Sequence, residues 1–320
     1  MRLGIAGCGR IAERGYLPAA LAAEGVTIAA FADPNPDRLN ECLRFWRQDG
    51  GEAEGFPDLA SLLAAEPIDL LVVAAPLHHH LTLAEEAAAA GVRSLVEKPP
   101  APDLAGAQRL ATLDPEPILG FNRRFLQGSE LRDSIPAEGW IELDLELRFK
   151  QGAWGAHEVR DEALLDAGIH MIDLAHYLSD AAPIAVRNAR VEQQRASFEL
   201  ELSRGRARIE CATDRSHREA VSLRDRSGRQ LASWGWGGLR SRLAGLTGRI
   251  DPLVLSLQRQ LEEVGVSLLE QQMGRLHQGH PHLLATARDG VTAMAVVEAA
   301  RRSAELEGAE VTVAPAEMSA

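Results

Sequence analysis

Three groups of residues in this sequence have the types and spacing to do chemistry. The first is Gly7-Cys8-Gly9-Arg10-Ile11-Ala12, which follows an apolar run and opens a helical pattern. It matches G-x-G-x-x-A, the alanine form of the dinucleotide fingerprint. Gly7 permits a tight turn, Gly9 lets backbone approach a pyrophosphate, and Ala12 allows close helix–sheet packing. The free N–H groups at the helix start would face the phosphates. Asp33 closes the second apolar run, 24 residues after Gly9, where an acid can accept from the ribose hydroxyls. The plainer reading of Asp33 is a loop aspartate turning the chain before Pro34 and Pro36. Arg38 on the next helix is placed to stack on adenine, and fits a solvated helix charge equally well.

The second group is Glu97-Lys98-Pro99-Pro100, directly after the apolar run Ser94-Leu95-Val96. Ligands bind at the carboxyl ends of parallel strands, so Lys98 would project into the crevice and could donate to a substrate oxygen. Its plain alternative is a surface lysine before a proline turn. The third group is Asp166, His170 and Asp173, at i, i+4 and i+7 on one face of a helix. The positions around them are apolar: Ile169, Met171, Ile172, Leu174, Ala175 and Leu178. Buried ionisable groups are costly unless paired, which makes such a stripe a candidate site. Taken alone, it fits Asp166 as an N-cap and His170 as a satisfied core histidine. Two histidine clusters, His78-His79-His80 and His277-x-x-His280-x-His282, lack a cysteine or clear carboxylate to complete a tetrahedral set. No metal site is expected from them.

The elements that must position these residues follow from periodicity. Leu3–Ala6, Val26–Ala32, Leu70–Ala75, Ser94–Val96 and Ile118–Phe121 read as strands. Between them, Arg10–Glu24, Asp37–Gln48, Asp58–Ala65, Leu81–Ala90 and Asp103–Leu113 read as helices. This alternation predicts a parallel sheet wound with helices on both faces. After Phe121 the texture changes. Residues 141–150 alternate apolar and charged without a fault, and Phe198–Leu202 and Ala207–Cys211 repeat the pattern. One-sided strands of this kind predict a largely antiparallel sheet and an α+β second domain. The expected boundaries are 1–121 and 122–320. A helix over Asp289–Glu305 and a strand over Gly308–Val313 close the chain. The amphipathic stretch Leu253–Leu276 could cover the sheet, cap the site or contact another subunit.

Composition limits the function classes. A chain of 320 residues with 46% hydrophobic and 25% charged side chains is globular, with room for two domains. A net charge of −12 repels phosphate backbones and anionic lipid, so no nucleic-acid or membrane partner is expected. The three cysteines form no CxxC pair and read as reduced thiols. With no signal-peptide pattern and no run of apolar residues long enough to span a bilayer, the expectation is a cytoplasmic protein.

Taken together, the motifs resemble those of the glucose–fructose oxidoreductase, inositol dehydrogenase and rhizopine-catabolism family (Gfo/Idh/MocA). The resemblance rests on the glycine loop, Ala75-Pro76-Leu77-His78-His79-His80, residues 90–99, Gly120-Phe121-Asn122-Arg123-Arg124-Phe125 and residues 166–173. It implies a Rossmann domain followed by an open-faced sheet domain, and oxidation of a polyol, cyclitol or sugar at C–OH. It implies Lys98, Asp166 and His170 as the catalytic trio, with a cis peptide at Lys98–Pro99. It also implies a cofactor set of Gly7, Gly9, Arg10, Ile11, Asp33, Arg38, Pro76, His80, Glu97 and Lys98, with His78 or His80 bordering the nicotinamide. The sequence departs from the family at Leu77, where asparagine is usual, and at Arg160–Leu165, where a glycine-rich loop is usual.

The resulting expectation is an oxidoreductase using NAD in preference to NADP. Its substrate is a secondary alcohol or ketone of a sugar, cyclitol or sugar derivative. His170 would take the hydroxyl proton, Lys98 would stabilise the alkoxide and Asp166 would orient His170. The rival readings are an NAD-dependent elimination enzyme of the glycosidase type and a non-catalytic sensor on the same scaffold. The resemblance further implies a homodimer or homotetramer, joined through the charged face of residues 141–150.

Overall fold

The computed structural model describes residues 1–136, 138–151, 161–237, 251–272 and 283–314. The chain divides into two compact units: Met1–Leu126 with Asp251–Gly290, and Gln127–Ile250 with Val291–Ala320.

In the first unit, β1 (Arg2–Ala6), β2 (Thr27–Ala32), β3 (Glu54–Phe56), β4 (Leu70–Val73), β5 (Ser94–Val96) and β6 (Ile118–Leu119) form one sheet. Its order is β6-β5-β4-β1-β2-β3, with a short strand, Ala285–Thr286, beyond β6. All pairs are parallel except that outer one. Every residue of β4 is fully buried, as its unbroken apolar run requires of a strand covered on both faces. The strand order reverses at β1, so the loops leaving β1 and β4 part and open a crevice at their carboxyl ends. Three of the intervening helices start on side-chain caps. Asn35 accepts from the N–H groups of Asp37 and Arg38, Asp58 from Ser61 and Asp103 from Gly106.

The long helix Pro252–Gln272 answers the question left open by its sequence. Leu257, Leu261 and Val264, at i, i+4 and i+7, are fully buried in one core with Tyr16, Leu17 and Ala20. Gln258 donates to the Ala22 carbonyl at 3.1 Å and Gln260 to that of Leu119 at 3.0 Å. It therefore covers the first sheet. This differs from a division at residue 121, because the apolar stripe that completes the first core is supplied from far along the chain. Loop-closure entropy grows only slowly with length, so such a return is inexpensive.

The second unit is built on β7 (Ile141–Lys150), β8 (Pro183–Glu192), β9 (Arg195–Leu202), β10 (Gly205–Ala212), β11 (Asp214–Asp225) and β12 (Gln230–Gly237). The order is β12-β11-β7-β10-β9-β8, closed by the strand Val311–Thr312. The pair β7–β10 is parallel and the others are antiparallel. Ile141, Leu143, Leu145 and Leu147 face the core, where the helix Ile169–Ser179 packs on β7 and β10. The charged face is laced across strands: Glu142 with Arg206 at 2.9 Å, Glu146 with Arg218 at 2.7 Å, Glu199 with Arg187 at 3.1 Å, and Asp144 with Arg224. Strand β8 escapes a period-two reading because its register shifts between Arg187 and Arg190, with Asn188 at φ 55°. Among the described residues, no helix is long and apolar enough to cross a membrane.

The docking of the long helix makes a stability prediction. Leu261→Ala should cost roughly 2–5 kcal/mol in urea unfolding followed by circular dichroism. Val266→Ala, at a position 47% exposed on the same helix, should stay within about 0.5 kcal/mol of the parent. Equal effects would contradict the packing described.

Candidate active site

The glycine loop leaves β1 with Gly7 at φ +100°, a conformation L side chains rarely adopt, and a Cβ there would lie 2.6 Å from the Ala74 carbonyl oxygen. Gly9 is the opposite case, with nothing within 4 Å of where its Cβ would stand. The loop thus has one glycine for a close backbone contact and one that leaves open space above the backbone. Asp33, at the end of β2, closes the arrangement. Its carboxylate accepts from the Cys8 N–H at 2.7 Å and the Asn35 N–H at 2.8 Å, one on each oxygen. A carboxylate has about four acceptor positions, so both oxygens keep capacity for hydroxyl donors. The Cys8 thiol is hydrogen-bonded with Cys42, and that bond together with burial holds it far above the ordinary thiol range. All three cysteines are free thiols.

The other residues expected around a dinucleotide are spread over several roles. Arg10 forms a surface ion pair with Glu13 at 2.9 Å. Ile11 packs against the core, and Arg38 is exposed on the first turn of its helix. Pro76 is exposed, and its carbonyl accepts from the His79 N–H at 2.9 Å. His78 and His79 are exposed with their rings 4.0 Å apart.

At the end of β5, Glu97 is almost fully buried. One carboxylate oxygen accepts from the Tyr16 hydroxyl at 2.7 Å and the other from the Lys98 N–H at 3.1 Å. Burial raises the Glu97 carboxyl above its ordinary value, opposed by these two donors and by the charges of Lys98 and Arg123. Tyr16 is held well above its ordinary value by burial and by the Glu97 charge. The Lys98–Pro99 bond is cis. His80, only 2% exposed, has Nδ1 2.8 Å from the Pro99 carbonyl and Nε2 2.8 Å from that of Ala75. Two carbonyls favour the doubly donating imidazolium, yet burial, with Lys98 and His78 nearby, brings its pKa down overall. The polar atoms of His80 and Glu97, both in the expected cofactor set, engage the protein and hold the turn that carries half-buried Lys98.

Tyr16 has no place in any sequence motif considered above. A second signal was also missed: of 34 basic side chains only Lys98 and Lys150 are lysines. Where fixed charge suffices the chain uses arginine. A compact ammonium at the end of a sheet strand stands out against that background.

The remaining candidates lie in the second unit. Asp166 sits in a wide π-helical turn, Leu164–Gly168, that leads into the helix Ile169–Ser179. It is therefore inside the helical segment rather than capping it, and its Oδ2 accepts from the Gln151 amide at 2.8 Å. Such wide turns are frequent at functional sites. His170 and Asp173 are buried on the following turns, 5% and 2% exposed. Cys211 lies beside Gly168; burial, with the charges of Glu210, Asp166 and Glu162, pushes its thiol up to about 12. Among the described residues no group of three or more His, Cys, Asp or Glu side chains is placed to hold a metal ion. His277, His280 and His282 lie outside the described residues.

Residues 1–116 match the family model described as an oxidoreductase family with an NAD-binding Rossmann fold. Over those residues the chain is similar to the Gfo/Idh/MocA oxidoreductase family. Curated relatives include an oxidoreductase, YceM, from Salmonella typhimurium, 29% identical over 56% of this chain and 56% of that protein. An inositol 2-dehydrogenase from Acidothermus cellulolyticus is 30% identical over 58% of this chain and 56% of its own length. The chain thus spans little more than half the length of these relatives. A solved structure of myo-inositol dehydrogenase from Lactobacillus casei, in complex with NAD(H) and myo-inositol, has a TM-score of 0.75 at 18% identity. It covers 98% of this chain and 97% of its own, and shares the fold. The loop geometry at Gly7 and Gly9 and the remaining acceptor capacity of Asp33 fit NAD, which this family binds.

The buried Glu97 carboxyl makes stability depend on pH. Between its ordinary value of 4.5 and its raised folded value, the folded chain holds more protons than the unfolded one. Its contribution to stability therefore falls as pH rises through that window. The stability of Glu97→Gln relative to the parent should accordingly increase from about pH 4.5 upward and then level off. Urea titrations at a series of pH values measure this, and a difference independent of pH would contradict the buried carboxylate.

Proposed function

We propose that this chain is an NAD-dependent oxidoreductase acting on a secondary alcohol or ketone of a sugar, cyclitol or sugar derivative. The observation that carries the reading is one sheet with two features at its carboxyl edge. The glycine loop and Asp33 stand at the ends of β1 and β2, and Lys98 stands at the end of β5, its backbone held through Glu97 and Pro99. The names of the inositol 2-dehydrogenase relative and the inositol-bound neighbour support the substrate class.

The nicotinamide, when bound, accepts or returns the hydride. Gly7, Gly9 and the helix start would hold the pyrophosphate, and Asp33 the adenosine ribose. Hydride departs from carbon only as the hydroxyl proton leaves, so the reaction needs a base active near neutral pH and a cation at the oxygen. His170 is the base in this reading, as histidine alone has an unperturbed pKa in that range. Lys98 donates to the developing alkoxide. Asp166, one turn before His170 and held by Gln151, orients the imidazole and favours its protonated form. The assembly in this reading is a homodimer or homotetramer joined through the charged face of β7 and its neighbours.

Two measurements test this. His170→Asn should lower kcat by roughly 10²–10⁴-fold on an active polyol, and Lys98→Met by a comparable factor, with NAD affinity little changed in both. Parent-like turnover in both variants would overturn the assignment. By fluorescence titration NAD should bind more tightly than NADP by roughly 1–3 kcal/mol, because a 2′-phosphate would meet the Asp33 carboxylate. Equal affinity would refute that role for Asp33.

A further inference from the structure

Tyr16 is fully buried and belongs to the same apolar core as Leu3, Ile5, Leu257 and Leu261. A hydroxyl there needs a partner, and phenylalanine would fill the same space without that demand. Tyr16 ends the wide turn Ala12–Tyr16, in the helical segment that the glycine loop opens. Its hydroxyl crosses to the end of β5 and donates to Glu97 Oε1, while Glu97 Oε2 takes the Lys98 N–H. Both oxygens are thus occupied by donors, so the ionised carboxylate is the form that satisfies the arrangement. The carboxyl is also boxed in by backbone: a Cβ at Gly120 would lie 3.1 Å from Glu97 Cδ and Oε2. Glu97 N–H continues the sheet ladder to Val73 at 3.0 Å.

We infer that Tyr16 is a positioning residue for Lys98, acting through Glu97 and coupling the helix that follows the dinucleotide loop to the backbone of the lysine turn. The inference rests on the proposed role of Lys98. Without the phenolic donor, one buried carboxylate oxygen loses its partner. Glu97 then keeps its proton to higher pH, because the hydrogen bond from Tyr16 favours its ionised form. A protonated Glu97 can no longer accept at both oxygens, and the Lys98 N–H loses its fixed acceptor. The other groups facing this carboxyl are the Lys98 ammonium and Arg123, both of which favour ionisation and are unchanged by the substitution.

The scarcity of lysine makes the test direct. Protein labelled with lysine carrying ¹³C at Cε gives two side-chain resonances, Lys98 and Lys150, and Lys98→Met assigns them. In Tyr16→Phe the Lys98 resonance should move while Lys150, in the second unit, stays as internal reference. The kcat should fall by about tenfold with NAD affinity within about twofold, as expected for losing one hydrogen bond to a charged group. The pH profile of the Lys98 resonance, which follows Glu97 protonation, should shift to higher pH, and adding Glu97→Gln, which cannot titrate, should abolish that dependence. A purely structural role for Tyr16 would lower stability without moving the Lys98 resonance or the pH profile. An unmoved resonance, or an unmoved profile, in folded Tyr16→Phe overturns the inference. Should that variant not fold, the parent and Glu97→Gln carry the same test. The Lys98 resonance should follow the Glu97 titration in the parent and lose that dependence in the variant; identical pH dependence overturns the inference. The resonance needs no substrate, so failure of every polyol to react would count against the proposed function and not against this coupling.

Discussion

A carboxylate removed from water must be given donors in place of its hydration shell, and Glu97 is such a group at the carboxyl end of β5. Its requirement explains features that are otherwise unrelated. Tyr16 has a hydroxyl inside an apolar core, residue 120 is glycine, and the Lys98 N–H turns back toward the preceding side chain. Each hydrogen bond to an ionised group contributes more than a neutral one, and each is costly to remove from one side. The same surroundings hold the Lys98 turn, which is fixed again where His80 meets the Pro99 carbonyl. A flexible side chain on a fixed backbone turn is a suitable carrier for a cation that must meet a developing charge.

The parallel sheet was legible because its strands are buried on both faces and read as unbroken apolar runs, Leu70–Val73 above all. The glycine loop and Asp33 were legible because their chemistry needs particular residue types at a fixed spacing. The first unit's second segment was not. Leu257, Leu261 and Val264 mark an amphipathic helix in any context, and nothing local says which core receives the stripe. Tyr16 was missed for a similar reason: a tyrosine in an apolar helix reads as core, and its partner lies 81 residues away. In the second unit, Asp166 fits an N-cap from spacing alone, whereas a π-helical turn places it inside the helix with Gln151 as donor.

The second sheet shows how one strand pattern serves two demands. Alternation in β7 buries four aliphatic side chains on one face and carries Glu142, Asp144 and Glu146 on the other, each met by an arginine from a neighbouring strand. Exposed ion pairs contribute little individually. Their arrangement nevertheless fixes register, since a one-residue slip would turn the charges into the core.

The central claim is transfer of hydride from a carbinol carbon to NAD, and isotope labelling tests it most directly. A polyol or cyclitol deuterated at the reacting carbon is incubated with the protein and NAD, and the dinucleotide is analysed by mass spectrometry. The account predicts deuterium in the reduced dinucleotide, accumulating with ketone product. Label that returns to an altered product with NAD left oxidised, or that never leaves the starting alcohol in any member of a broad panel, would contradict it.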